Sequence, residues 1–359
     1  MRMLSKKRGG MGFLAISMAF ACVFTAQAQP AAEVKGCAEQ AINQVQFRSG
    51  ESLFTVLAWL NWVGHRDREV DLSDYDPVQA YLQQLVTRLP KKLYEKHRKA
   101  YLAYLTGSSP YVKNGLLISD SFYYGSAPDF TLQVPSSELA SDLDKSEAWR
   151  LSQLPDAALL AEFYQQLNLK KEWAETFAPV FLREENKYKA AILKGFERAH
   201  CFLKVPRTAP IDVVVNPLDA FGTSGQTSYN QVTQRFLIKL HVDEDTNVRR
   251  LQDIAAHEYT HAIMNAHLEP YGAAFTQKMQ AIGAAVGHDF NLPLQEVFAQ
   301  SVGYLELAKN YPSYVDGLIF YQKNLLFPHV VTHAAEWESQ NKPFTALLPD
   351  MLATLDTEA

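Results

Sequence analysis

The chain has 359 residues, 47% of them hydrophobic and 20% charged, with a formal net charge of −5. This is a globular composition with enough apolar side chain for a sizeable core, and it excludes a disordered chain, a coiled-coil rod and a collagen-like fibre. The negative balance argues against a general nucleic-acid binder, which is basic. The length suits one large domain or two of ordinary size.

Residues 1–28 read as a secretory signal peptide. Arg2, Lys6, Lys7 and Arg8 form a basic n-region, an apolar run follows over 11–24, and Ala26-Gln27-Ala28 fits a small-x-small cleavage site. The run is short for a membrane span, and Phe20 spoils the sequence before Cys22 as a lipobox. No later segment is long and apolar enough to cross a membrane, so the expected product is periplasmic or secreted, with no stable membrane insertion. Removing the leader takes away four basic residues and no acidic ones, which gives a mature charge of −9, 30 basic residues against 39 acidic. Two cysteines remain, Cys37 and Cys201. In an exported protein they are expected to form one disulfide.

Residues 29–205 read as a mostly helical region. Leu53, Val56, Leu57, Leu60 and Val63 recur at helical spacing, as do Val78, Tyr81, Leu82, Leu85 and Leu89. Another amphipathic pattern covers 91–105 and ends before Gly107 and Pro110. Extended patches are expected at 115–119 and 130–134, then a long helical stretch over 156–201 with a break near Pro179. The texture changes after Pro206. The β-branched run 211–215 reads as a strand, and 218–228, with Gly222 and Gly225, reads as a loop. Residues 232–242 alternate well enough for a second strand. They are the best candidate for an edge strand on which an extended peptide would pair, with Tyr229 and Asn230 lining the cleft. A helix is expected over 248–266, capped by Thr246 or Asn247, with further helices at 271–286, 293–309, 313–325 and 328–340. The expected fold class is α+β, predominantly helical, with a short sheet. Its expected division is 29–205 and a catalytic domain over 206–359.

The sharpest feature is His257-Glu258-Tyr259-Thr260-His261, an HExxH motif inside an expected helix and shortly after an expected strand. On a helix, positions i and i+4 share a face one turn apart, so the two imidazoles can bind one Zn²⁺. Glu258 points to the side, poorly placed as a ligand but within reach of a water on the metal. The metal acidifies that water and Glu258 takes its proton as general base, which leaves a nucleophile for a carbonyl, usually that of a peptide bond.

A catalytic zinc needs a third protein ligand. Glu296 is the favoured candidate. It stands among Leu294, Val297 and Phe298, where a buried carboxylate needs a partner. Ala299 and Gly303 would let its helix approach the HExxH helix closely. His267 is the alternative, because His257, His261 and His267 have the spacing of HExxHxxGxxH. Met264, however, stands where that motif has the glycine that allows a sharp turn. His288-Asp289 is a distant third candidate. Asn265 is a candidate to support a ligand from behind. For stabilising an oxyanion, Tyr304, Tyr321, His329 and His333 are candidates.

These residues carry a resemblance. The pattern resembles the gluzincin-type zinc metallopeptidases, and more closely the DUF4932-like family of bacterial secreted proteins. The resembling stretches are Phe181-Leu182-Arg183-Glu184-Glu185-Asn186-Lys187-Tyr188, the strand 211–216 and the run His257-Glu258-Tyr259-Thr260-His261-Ala262-Ile263-Met264-Asn265. The resemblance implies a zincin-like core, His257, His261 and Glu296 as zinc ligands, Glu258 as general base, and a peptide or protein substrate.

Overall fold

The computed structural model describes residues 36–63, 77–106, 110–126, 131–132, 157–218, 225–230, 233–286, 292–310, 326–339 and 342–349. The expected leader 1–28, the helix expected at 313–325, Tyr321 and the His288-Asp289 pair lie outside them. The described chain is predominantly helical, with a mixed four-stranded sheet and a two-stranded hairpin. Among the described residues, no helix is long and apolar enough to cross a membrane.

In chain order, α1 (Cys37–Ile42) leads into β1 (Val45–Phe47). Helices α2 (Glu51–Val63), α3 (Pro77–Val86), α4 (Lys91–Leu105) and α5 (Pro110–Tyr124) follow, then the hairpin strands β2 (Gly125–Ser126) and β3 (Thr131–Leu132). Next come α6 (Ala157–Gln166), the short α7 (Leu169–Glu172), a π-helical segment over Trp173–Phe177 and the 26-residue α8 (Ala178–Leu203). Strands β4 (Ile211–Asn216), β5 (Gly225–Asn230) and β6 (Arg235–His241) complete the sheet. Helix α9 (Val248–Leu268) carries the HExxH motif. It is followed by α10 (Gly272–Val286), α11 (Leu294–Gly303), α12 (Leu305–Asn310) and α13 (Leu326–Ser339).

The sheet runs β1-β4-β6-β5, with β1, β4 and β6 parallel and β5 antiparallel to β6. Strand residues alternate between two helical layers, as the twofold period of a strand dictates. Ile211, Val213, Val215, Ile238 and Leu240 face a core built with α8, α9 and α11. Val214 and Leu237 face a second core made by α2 to α6. Covered on both sides, β4 is wholly buried along its length, which is why Val213, Val214 and Val215 follow one another with no polar alternation. The first core takes Tyr188, Ile192, Phe196 and Leu203 from α8, and β1 joins the sheet from the N-terminal side. Packing is therefore continuous across residue 205.

Polar links stitch the layers. Asp212, fully buried on β4, takes a bidentate pair from Arg235 at 2.7 and 2.9 Å and a hydrogen bond from the Tyr123 hydroxyl on α5 at 3.0 Å. In the second core the buried His97 accepts from Trp59 Nε1 at 2.9 Å through Nδ1. Its Nε2 then carries the proton toward Glu162, 3.0 Å away.

Four local expectations are corrected. Residues 115–119 lie inside α5, because Leu117 and Ile118 serve the second core on a helical face. The break expected near Pro179 falls instead at Asn168, which adopts a left-handed φ of 51°. Pro179 occupies the first turn of α8, where no amide proton is needed. The helix expected over 293–309 is two helices, α11 and α12, separated at Tyr304. The fourth correction bears on function. Residues 232–242 do not form an edge strand: β6 has β4 on one side and β5 on the other. The edge on that side is β5, with β1 at the other; residues 225–228 of β5 fall in the stretch that reads as a loop, because Gln226, Thr227 and Ser228 are polar and Gly225 opens it.

Cys37 and Cys201 form the expected disulfide, which fastens α1 to α8 across 164 positions. Reduction is expected to lower unfolding stability by about 2–5 kcal/mol, because it frees a very long loop in the unfolded chain. Unfolding free energies extrapolated from urea titrations of oxidised and reduced protein test this, and equal values would refute it.

Candidate metal centre

Helix α9 begins with a conventional cap. Asn247 accepts the Arg250 amide through its side chain at 3.1 Å, and Thr246 Oγ1 donates to Asp243 Oδ1 in the turn before it. The helix then buries nearly every residue from Leu251 to Met264, so its histidines leave the solvent because of where the helix packs. His257 and His261, one turn apart, present Nε2 atoms 3.1 Å from each other.

Helix α11 brings the third group. Pro293 precedes its first turn, and Gly303 ends it against α9. A Cβ at Gly303 would lie 2.9 Å from both the Asp253 carbonyl and His257 Cβ. A glycine is what lets the two helices meet. Arg198 on α8 locks the approach, donating to the Gly303 carbonyl at 2.8 Å and pairing with the buried Asp253 of α9 at 2.8 Å. Glu296 is thereby set with Oε1 3.6 Å from His257 Nε2 and Oε2 3.4 Å from His261 Nε2.

His257, His261 and Glu296 thus form a buried group able to hold a metal ion, with ligand atoms all within 4.8 Å of one another. Donors at tetrahedral angles around a zinc ion sit about 3.3 Å apart, given bonds of about 2.0–2.1 Å. The two imidazole Nε2 atoms stand 3.1 Å apart, close to that value, and the Glu296 carboxylate straddles them, Oε1 on the His257 side at 3.6 Å and Oε2 on the His261 side at 3.4 Å. The outer partners also fit. Asn265 Oδ1, an acceptor only, lies 3.0 Å from His261 Nδ1, which fixes the proton there and leaves the Nε2 lone pair inward. The backbone of Ala299 holds His257 by a hydrogen bond. Gln300 Nε2 donates to Glu296 Oε1 at 3.1 Å.

The site's charges follow from burial. Desolvation pushes His257 down to about 4, so its ring is neutral and ready to bind a cation. Burial acts to lower His261 as well, but the hydrogen bond and charge of Glu296 outweigh it and hold the imidazole above its ordinary value. Burial would raise Glu296, yet the two imidazoles beside it, with hydrogen bonds from His261 and Gln300, keep it below the usual carboxylate range. Glu258 lies beside the group, its Oε1 3.9 Å from His257 Nε2, and burial pushes its carboxyl up to about 7. The Thr227 hydroxyl on β5 lies 2.7 Å from Glu258 Oε2.

Of the sequence candidates, His257, Glu258, His261 and Glu296 come together, with Asn265 behind His261. His267, the alternative third ligand, is half-buried in the last turn of α9 and is not in the group. Tyr304 packs with Ala308 and Val331. His333 stacks on Trp337 and lies 3.3 Å from Glu336. His329 stands on α13. Sequence reasoning missed Thr227 and Gly225 beside Glu258, and Arg198 as the clamp. No pattern marks them, because each acts across elements distant in sequence. Comparison with protein-family models, with curated proteins and with solved structures finds no match.

Proposed function

We propose that this chain is an exported zinc-dependent metallopeptidase of the gluzincin type, with its zincin-like core formed by β4 to β6, α9 and α11. The observation that carries the reading is the meeting of a buried His257–His261–Glu296 group with a carboxylate, Glu258, that lies outside the group and beside it. That is the division between ligands and base that metal-assisted hydrolysis requires. His257, His261 and Glu296 hold the ion. Zinc supplies Lewis-acid polarisation and acidifies water at neutral pH. Glu258 removes a proton from the attacking water and passes it to the leaving amine. Strand β5 ends the sheet order among the described residues and carries Thr227 beside Glu258, and an extended peptide substrate would lie along it. The disulfide supports an oxidising compartment.

The test is hydrolysis of an unfolded protein such as reduced casein. Purified protein is expected to carry about one zinc per chain, to lose activity to 1,10-phenanthroline and to regain it with added zinc. A metal-replete protein that cleaves no peptide or amide bond would reduce the site to a binding centre, and a protein that binds no zinc would remove the reading altogether.

A further inference from the structure

Thr227 belongs to no motif and stands on the strand that reads as loop. Its Oγ1 lies 2.7 Å from Glu258 Oε2 and 2.9 Å from the Glu258 carbonyl oxygen. A hydroxyl has one proton to give, and an ionised carboxylate is the stronger acceptor, so with Glu258 charged that proton goes to Oε2. Register explains the reach. Thr227 pairs with Ile238, and Gly225 with Leu240. Both β6 residues face the core that contains α9, so Thr227 and Gly225 face α9 too. Gly225 passes so close to the carboxylate that a Cβ there would lie 2.4 Å from Glu258 Cγ and 2.5 Å from Oε1.

These contacts make the two oxygens of Glu258 unequal. Oε2 is held by a hydroxyl, while Oε1 stands 3.9 Å from His257 Nε2, on the side of the metal-ligand group. A glutamate carboxyl otherwise turns freely, since its last torsion has broad, shallow wells. The geometry points to β5 as the positioning strand of the general base: Thr227 holds Oε2 so that Oε1 accepts the proton of the attacking water, and Gly225 leaves the space in which that carboxylate lies. The catalytic half of this inference rests on the metallopeptidase reading; the positional half does not. Thr227 acts through Glu258 and is a positioning residue. A displacement of about 1 Å at a reacting group costs on the order of 10²-fold in rate, which sets the scale of the effect.

The test uses the zinc-loaded mature protein and two variants. Thr227→Val removes the hydroxyl at nearly constant shape, and Thr227→Ser restores it. For each, kcat and KM on a casein-derived peptide, zinc per chain, the urea midpoint and a crystal structure are determined. Thr227→Val is expected to lower kcat by about 10- to 100-fold with KM changed less than about 2-fold and zinc retained. Thr227→Ser is expected to stay within about 3-fold of wild type in kcat. In the crystals, Glu258 Oε2 stays on the hydroxyl of wild type and of Thr227→Ser, and the carboxylate turns in Thr227→Val. A Thr227→Val enzyme with wild-type kcat overturns the inference. So does a Thr227→Ser enzyme as slow as Thr227→Val while both hold zinc and fold normally, since the methyl packing and not the hydroxyl would then matter. If wild type hydrolyses no peptide, the metallopeptidase reading fails, and the crystals still decide. A Glu258 carboxylate unmoved in Thr227→Val refutes the positioning role.

Discussion

Glu258→Gln is expected to keep about one zinc per chain and to lose about 10²- to 10⁴-fold in kcat, the range over which a positioned general base acts. The amide has the shape of the carboxylate and accepts the Thr227 hydroxyl through its carbonyl oxygen, but it cannot take a proton from water. The group able to hold a metal ion is His257, His261 and Glu296, so the substitution leaves every candidate ligand in place. Burial raises the Glu258 carboxyl to about 7, so the charge is costly where it stands and its removal should not lower stability. Single-turnover hydrolysis with metal analysis on the same samples separates the outcomes. Full turnover in the variant would take Glu258 out of the chemistry, and loss of zinc would make it structural. The sign of the pH dependence follows from the same group. On the metallopeptidase reading the base works ionised, so the rate is expected to fall as pH falls through its pKa. A bound cation adds to the pull of His261, which already opposes burial, so the acid limb is expected below pH 7.

The site was more legible in the sequence than the sheet around it, for a physical reason. Two histidines four apart on a helix are local: the helical period alone puts them on one face. Glu296 could be found because a carboxylate amid Leu294, Val297 and Phe298 must have a partner when buried, and because Ala299 and Gly303 announce a close helix contact. Which partner it meets is not local: only the packing of α11 on α9 puts Glu296, and not His267, beside His257 and His261. Strand β5 could not be read. Its residues are polar because its faces are only half-buried and, among the described residues, it ends the sheet, so neither alternation nor a β-branched run marks it. Strand β6 was read as an edge for the converse reason. Alternation suggests one wet face, but on that face Leu237 packs into the second helical core and Arg235 pairs with the buried Asp212. The N-terminal helices were visible through their apolar spacing, whereas β1 is only three residues long, too short to show a period.

Glu296→Ala is expected to bring zinc from about one ion per chain to less than about 0.1 after dialysis against a weak chelator, since two imidazoles alone do not make a closed zinc site. His267→Ala should hold zinc as wild type does, and the reverse pattern would replace Glu296 by His267 as the third ligand. The helix contact supplies an independent check. Gly303→Ala leaves all three ligands in the sequence but puts a methyl 2.9 Å from His257 Cβ and from the Asp253 carbonyl. It forces α11 off α9 and is expected to weaken zinc binding by about 10-fold or more, the scale seen when ligand-orienting contacts are lost. Unchanged affinity would mean that Glu296 reaches the metal without that close approach. Proton competition gives the pH test its sign. Zinc binds the deprotonated ligands and releases their protons. His257 is already neutral and Glu296 already ionised near neutrality, the first held down by burial and the second by its histidine neighbours. His261, held above its ordinary value by Glu296, is the ligand that must give up a proton. Affinity should therefore fall steadily as pH drops from about 8 to 5. In Glu296→Ala the support for protonated His261 is gone, so the residual affinity should show a shallower fall over the same interval. Titration calorimetry in two buffers of different ionisation enthalpy counts the protons released.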